Sequence, residues 1–398
     1  MTLGAGIYRT ALPRGFFSSG INSGVRRYRP DIGLIYSEFP CQTSGVFTLN
    51  ECKAAPVLYS QALLPSQTIR AIFTNSGQAN AATGEVGAKN NLLMAQEVAK
   101  ALKISTQDVL IASTGVIGQQ VDIDKILPAI PELVHRLGEA AEPFALAILT
   151  TDLVPKTASL KIELSGGTVE IAGISKGSGM IHPNMATMLG YLLTDAQLSQ
   201  EQVTRFLKES ADESFNMISV DGDSSTNDCV FMMANGSSGV TISSRTDEER
   251  FFGGLKRVAT TLAQAIATDG EGATKLIEVQ ITGASNLALC RKAARGVVVS
   301  PLVKTAIHGE DPNWGRILAR LGAEGIPGPL LNKMDLYIQD VKLFANGVPA
   351  IFEKSEVKAL MKASKVRILI SLHGGEFAAT AWGCDLSKRY VDINTEYS

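Results

Sequence analysis

The 398-residue sequence is short of the features that mark several protein classes. It has five cysteines (Cys41, Cys52, Cys229, Cys290 and Cys384) and no CxxC pair. An odd, widely spaced set argues against a disulfide framework and for reduced thiols. The four histidines, His135, His182, His308 and His373, lie far apart, so a histidine-based metal site has no support. No window reaches the about 18 uninterrupted apolar residues of a membrane helix, and Met1–Arg14 lacks the apolar centre of a secretory signal. These absences predict a cytoplasmic protein with no membrane partner. Long basic runs are missing as well. Lys and Arg are dispersed, the formal net charge is −2, and the densest basic spot, Arg26-Arg27-Tyr28-Arg29, is short. Nucleic acid is therefore not an expected partner. There are no internal repeats and no low-complexity segments.

What is present is an alternation of strand-like and helix-like segments, which predicts an α/β (α+β) fold. Ala71–Thr74 reads as a strand ending in Asn75-Ser76-Gly77. Leu92, Ala95, Ala99 and Leu102 recur at helical spacing and predict a helix over Lys89–Lys103. Asp108–Ser113 reads as a buried strand that turns at Thr114-Gly115. Helices are expected over Ile123–Leu137, broken by Pro128 and Pro131, and over Glu142–Leu149. Ser159–Leu164 and Val169–Ile174 predict a hairpin across Gly166-Gly167. Ser199 can cap a helix carrying Val203, Phe206 and Leu207. Thr246-Asp247-Glu248-Glu249 reads as a capping box opening a long helix that stops at Asp269-Gly270. Later come a strand over Lys275–Thr282, an Asn346-Gly347 hairpin, a helix from Ser355, and strands at Val366–Leu372 and Tyr390–Asn394. The texture shifts near Gly283. Three regions are expected: 1–193, 194–282, and a smaller α/β domain over 283–398.

The most informative stretch is Lys176–Leu189, a Gly-rich and Pro-containing turn followed by the small-small junction Ala186-Thr187. A Thr hydroxyl is a poor nucleophile. A cut directly before Thr187 would place an α-amine, titrating near ~8, beside the hydroxyl as a built-in base. Rival motifs are weaker. Gly173-Ile174-Ser175-Lys176-Gly177 fits GxSxG, with His308 or His373 as the available bases, but the glycines and Pro183 that follow argue against the required helix. Ser355-Glu356-Val357-Lys358 fits SxxK without its companion motifs. Gly84–Lys89 lacks the Gly-Lys-Ser/Thr ending of a phosphate loop. Small polar clusters recur at Asn75-Ser76-Gly77, Ser113-Thr114-Gly115, Thr150-Thr151-Asp152, Asp221–Asp228 and Asp269-Gly270-Glu271-Gly272. Core packing does not require such clusters, although each alone suits a turn or cap.

With these residues in hand, the chain resembles the ornithine acetyltransferase, or glutamate N-acetyltransferase, family of arginine biosynthesis. The likeness is most specific at Lys176–Leu189. It extends through the clusters above to Ser300–Ala306, Asp311–Arg316 and Ile393–Tyr397. The resemblance implies layered sheets and helices of the type shared with self-cleaving aminopeptidases. It implies self-cleavage between Ala186 and Thr187, with Thr187 as the nucleophile of a ping-pong acetyl transfer from N-acetylornithine to glutamate. Thr114 and Gly115 then correspond to an oxyanion hole. Thr150, Lys176, Thr187, Glu271 and Asn394 correspond to substrate-binding positions, and Ser398 is a further candidate. No cofactor is implied. Some relatives use acetyl-CoA as co-substrate, and no residue here separates them from those that do not. The partners implied are the chain's own two fragments, in an α2β2 or larger assembly. Two rivals stay open: a hydrolase that releases free acetate, and an uncleaved binding protein.

Overall fold

The computed structural model describes residues 10–182 and 188–395. In chain order the first elements are β1 (Phe16–Ile21), β2 (Ile32–Phe47), α1 (Ala55–Leu63), β3 (Ser66–Gln78), α2 (Gly84–Leu102) and β4 (Val109–Val116). Next are α3 (Ile123–His135), α4 (Glu142–Ala147), β5 (Lys156–Leu164), β6 (Gly167–Lys176), β7 (Leu189–Thr194), α5 (Gln200–Glu213), β8 (Ile218–Ser219), β9 (Cys229–Ala234) and α6 (Arg245–Thr268). The chain continues through β10 (Leu276–Ala284), α7 (Leu287–Val299), α8 (Pro301–His308), α9 (Trp314–Ala323), α10 (Gly328–Leu331), β11 (Asp335–Ile338), β12 (Val341–Ala345) and β13 (Val348–Pro349). It closes with α11 (Lys354–Leu360), β14 (Lys365–Ser371), β15 (Phe377–Cys384) and α12 (Lys388–Thr395). The architecture is mixed α/β, as the alternation predicts. No helix among the described residues is long and apolar enough to cross a membrane.

These elements form two compact units. The first comprises Met1–Gly177, Asn184–Ala211 and Ser224–Leu262. Its sheet runs in the order β4-β3-β2-β9-β7-β6-β5, with β1 paired to β2. Strand alternation sorts its side chains onto two faces. On one face Phe73, Val109 and Ile111 pack with Met94, Val98 and Ile130 from α2 and α3. On the other, Leu110, Ala112, Ala172 and Ile174 share a core with Phe144 of α4 and Tyr191. The Phe144 and Tyr191 rings meet edge-on at 4.8 Å, a geometry worth about 0.5–1.5 kcal/mol beyond burial. Close helix approach needs small residues: a Cβ on Gly33 would stand 2.8 Å from the Phe144 ring.

The second unit comprises Ser178–Pro183, Asp212–Asp223 and Ala263–Ser398. Its sheet runs β13-β12-β11-β14-β10-β15-β8. The β10–β14 pair is parallel and β10–β15 antiparallel. Gly283 sits at an irregularity in the β10–β15 register, with φ +72.

Several expectations are corrected. The strand after Asp108 does not turn at Thr114-Gly115 but continues to Val116, paired in parallel with β3. Pro128 and Pro131 lie inside an unbroken α3, because the buried stripe Ile126, Ile130 and Leu133 holds it together despite the lost N–H donors. Leu92 is exposed; Met94 and Val98 join Ala95 and Ala99 on the buried face of α2. The long helix is capped by Ser244, not Thr246: the Asp247 N–H donates to Ser244 Oγ at 3.1 Å. Tyr390–Asn394 is helical, within α12. The Asn346-Gly347 turn joins β12 and β13 with both residues at positive φ, as a two-residue hairpin requires.

Candidate active site

In the first unit the side-chain alternation of two strands brings polar ends onto one face. Leu110, Ala112 and Thr114 succeed one another along β4, and Ala172, Ile174 and Lys176 along β6. The apolar members of both series lie in one core. Lys176 follows in that phase at the last residue of β6, where a charge is buried to 7% exposure. Its ammonium donates to Thr150 Oγ1 at 2.8 Å and to Thr114 Oγ1 at 3.4 Å.

Asp152 makes this burial tolerable. Its Oδ2 lies 3.8 Å from Lys176 Nζ, and its Oδ1 accepts from Lys156 Nζ at 2.7 Å. It also accepts the Gly177 N–H at 2.7 Å and the Thr150 N–H at 3.1 Å. Burial pushes its carboxyl up, but the Lys176 and Lys156 charges and these hydrogen bonds outweigh it and hold the carboxyl well below the usual range. Asp152 thus fixes Thr150 through its backbone and Lys176 through charge. Arg26 adds hydrogen bonds to the carbonyls of Leu149 and Thr150.

Gly115 stands beside Gly77 in the β3–β4 register. Its φ is +135, and a Cβ there would lie 2.2 Å from the Gly77 carbonyl carbon. Only glycine fits. The neighbouring backbone is tied by neutral hydrogen bonds. Ser113 Oγ donates to Asn75 Oδ1 at 2.6 Å, and Asn227 Nδ2 to the Ser113 carbonyl at 2.9 Å.

The second unit gathers a different set. Glu271 is buried, and Asn394 Nδ2 donates to its Oε2 at 2.8 Å. The Glu271 N–H donates to the Ser178 carbonyl at 3.1 Å. Gly179 gives the carboxylate room: a Cβ there would stand 2.4 Å from it. Asp221 accepts the N–H groups of Met180 at 2.6 Å and Ile181 at 2.9 Å, with Met180 at φ +56. His182 Nε2 takes a hydrogen bond from Arg295 at 3.1 Å. Burial, then the Arg295 charge, lowers its pKa to about 4, so the ring is neutral at pH 7. Among the described residues no group of three or more His, Cys, Asp or Glu side chains is arranged to hold a metal ion.

Of the expected site residues, Thr114, Gly115, Thr150 and Lys176 lie in the first unit, with Thr114, Thr150 and Lys176 in one hydrogen-bonded group. Glu271 and Asn394 meet in the second. Ala186, Thr187 and Ser398 lie outside the described residues. Lys176 of β6 and Leu189 of β7 are register partners. Ser175 of the GxSxG match is buried within β6, which runs on through Lys176 instead of turning into a helix. His308 pairs with Asp385 at 2.7 Å and His373 with Asp335 at 3.1 Å. The contacts of Asp152 and Arg26 are not evident from the sequence alone. The Thr-Thr-Asp cluster and the run of three arginines in four residues were the available signals.

The family model described as "ArgJ family" matches residues 17–398. The chain belongs to the ArgJ family. An arginine biosynthesis bifunctional protein ArgJ from Thermotoga neapolitana is 45% identical over 97% of this chain and 99% of its own length. The ArgJ protein of Chlorobaculum tepidum is 46% identical over 97% of this chain and 96% of its own. The crystal structure of an ArgJ protein from Bacillus halodurans superposes with a TM-score of 0.51 at 41% identity, covering 53% of this chain and all of that one. Membership of the ArgJ family agrees with the resemblance read from Lys176–Leu189 and its companion segments.

Proposed function

We propose that this protein is an autoprocessing acetyltransferase of arginine biosynthesis. It moves acetyl from N2-acetyl-L-ornithine to L-glutamate through acetyl-Thr187. Two considerations support the activity: the near full-length relatives bear the name arginine biosynthesis bifunctional protein ArgJ, and the hydrogen-bonded group of Lys176, Thr150 and Thr114 supplies suitable chemistry. That group is the observation that carries the reading. It lies at the end of the strand leading towards Thr187, and it couples a fixed cation to a candidate oxyanion donor.

In this reading the precursor cuts itself between Ala186 and Thr187. The Thr187 hydroxyl attacks the Ala186 carbonyl, the peptide becomes an ester, and water opens it. The freed α-amine of Thr187 then serves as base for its own hydroxyl. N-acetylornithine acylates the hydroxyl, ornithine leaves, and the glutamate amine takes the acetyl group. Each step passes through a tetrahedral oxyanion. The Thr114 hydroxyl and Gly115 N–H are its donors, worth about 3–4 kcal/mol each. Lys176, beside Thr150, meets the α-carboxylate common to both amino acids. Glu271, steadied by Asn394, is the counter-charge for an ammonium group. The reading extends to a cytoplasmic α2β2 or larger assembly of the two fragments. Acetyl-CoA use is a further activity to assay.

The experiment is the intact mass of the purified protein under denaturing conditions, beside Thr187→Ala. The expected result is two fragments, residues 1–186 and 187–398, from the wild type and one full-length species from the variant. A full-length wild type would move the uncleaved binding protein to the front.

A further inference from the structure

The second unit buries a lysine that the acyl-transfer reading does not use. Lys304, on α8, is 3% exposed. Its ammonium donates to the Val220 carbonyl and lies 3.8 Å from the thiol of Cys384, which is 1% exposed at the end of β15. Of the five free thiols, Cys384 is the one in hydrogen-bonding contact with a lysine amine among the described residues. Cys41 and Cys290 face backbone carbonyls, and Cys52 is exposed.

Both partners are held in place. The Leu386 N–H donates to the Lys304 carbonyl at 3.3 Å, tying α8 to the segment that carries Cys384. Asp385, next to Cys384, accepts the N–H groups of Thr274 and Lys275 and the Thr274 hydroxyl, and pairs with His308. Gly270 lies against the sulfur, where a Cβ would stand 2.7 Å from Sγ. The amine and thiol therefore cannot drift apart, and proximity of this kind favours a bond between them. Burial keeps glutathione-sized thiols away from the sulfur, whereas dioxygen is small enough to penetrate.

We propose that Lys304 and Cys384 are a modification site, joined reversibly by dioxygen into an N–O–S bridge. The ammonium first releases a proton. The neutral amine then loses one hydrogen and the thiol loses one. One oxygen atom bridges nitrogen and sulfur, and the other leaves as water with those two hydrogens. Four electrons pass to dioxygen. Once unfolding exposes the bridge, two equivalents of a dithiol return the four electrons, restoring amine and thiol and releasing the bridging oxygen as water. The bridge ties α8 to β15 and retains one N–H at the Lys304 nitrogen for the Val220 carbonyl.

The proposal goes beyond the acyl-transfer reading and does not depend on it, because its readout is mass. The purified full chain is held under dioxygen or under argon, denatured, alkylated and digested. The expected product under dioxygen is a Lys304 peptide joined to a Cys384 peptide, heavier than their sum by one oxygen less two hydrogens. Dithiothreitol abolishes it, and it is absent from Lys304→Arg and Cys384→Ser. The wild-type comparison with and without dioxygen stands even if a variant fails to fold. A Cys384 that is fully alkylated after dioxygen, or oxidised to sulfinate without a joined peptide, overturns the proposal.

Discussion

Lys176 and Glu271 carry opposite charges and are buried to a similar degree, 7% and 9% exposed, yet they are held differently. Lys176 has its compensating charge nearby in Asp152, which Lys156 and two backbone N–H groups steady in turn. Glu271 has no ion-pair partner among the described residues, only the Asn394 amide and the space left by Gly179. A buried charge already paired is a positioning device. A buried charge held by a neutral amide still favours an incoming cation. This difference agrees with the proposed roles, a carboxylate partner for Lys176 and an ammonium partner for Glu271, and each role can be tested separately.

The largest expected effect comes from breaking the first region. Lys176→Met removes the cation and leaves Asp152 with Lys156 alone, and kcat/KM for acetyl transfer should fall by about 100-fold or more. A loss under threefold would refute the carboxylate assignment. Gly115→Ala tests the same region through its backbone. Forcing a Cβ at φ +135 against Gly77 stores up to about 3 kcal/mol of strain, so thermal melting should drop along with activity. An unchanged melting temperature would mean that β3 and β4 part more readily than their register implies.

Glu271→Gln sharpens the comparison from the other side. It keeps the shape and the Asn394 contact but discards the charge, so the KM for N-acetylornithine should rise about tenfold. Identical kinetics in the variant would place ammonium recognition elsewhere.

The two regions also differ in acid. Asp152 has a depressed carboxyl, so its contribution to stability is present above the unfolded carboxylate pKa of about 4 and is lost as pH falls through its lower folded value. Asp152→Asn should be less stable at neutral pH, and its deficit should shrink below about pH 4. Urea melts from pH 7 to pH 3 measure this. His182 acts in a milder window. Its pKa is lowered from 6.5 to about 4, so the stability it contributes is present above 6.5 and lost as pH falls towards 4. His182→Gln should flatten that small decline, and a decline of the same slope in the variant would clear His182 of it.

Much of both regions was legible in the sequence. Thr114, Thr150 and Asp152, from two of the polar clusters, gather around Lys176, and Glu271, from a third, meets Asn394. Their pairing was not legible, because residues as far apart as Thr114 and Lys176 meet only through a strand order that local pattern does not encode. In α12, Val391 and Ile393 alternate as in a strand, yet the segment is helical. None of its described residues is buried, however, so no buried face enforced that period; Ser387 instead accepts the Arg389 N–H near the helix start. β2 has no clean strand signature in the sequence: its 16 residues include Pro40, and its pairing with β3 is irregular between Tyr36 and Cys41. Asp152 belongs to the Thr150-Thr151-Asp152 cluster, but its particular role is not legible there, since it depends on two lysines that the fold delivers from β5 and β6.

The most direct test of the acyl-transfer account is to capture the acetylated nucleophile. The processed protein is mixed with N-acetylornithine alone, quenched in acid and weighed. The account predicts one acetyl group on the fragment that begins at Thr187, discharged when glutamate is added and persistent without it. A fragment that never gains acetyl, or that loses it equally fast without glutamate, would contradict transfer through Thr187.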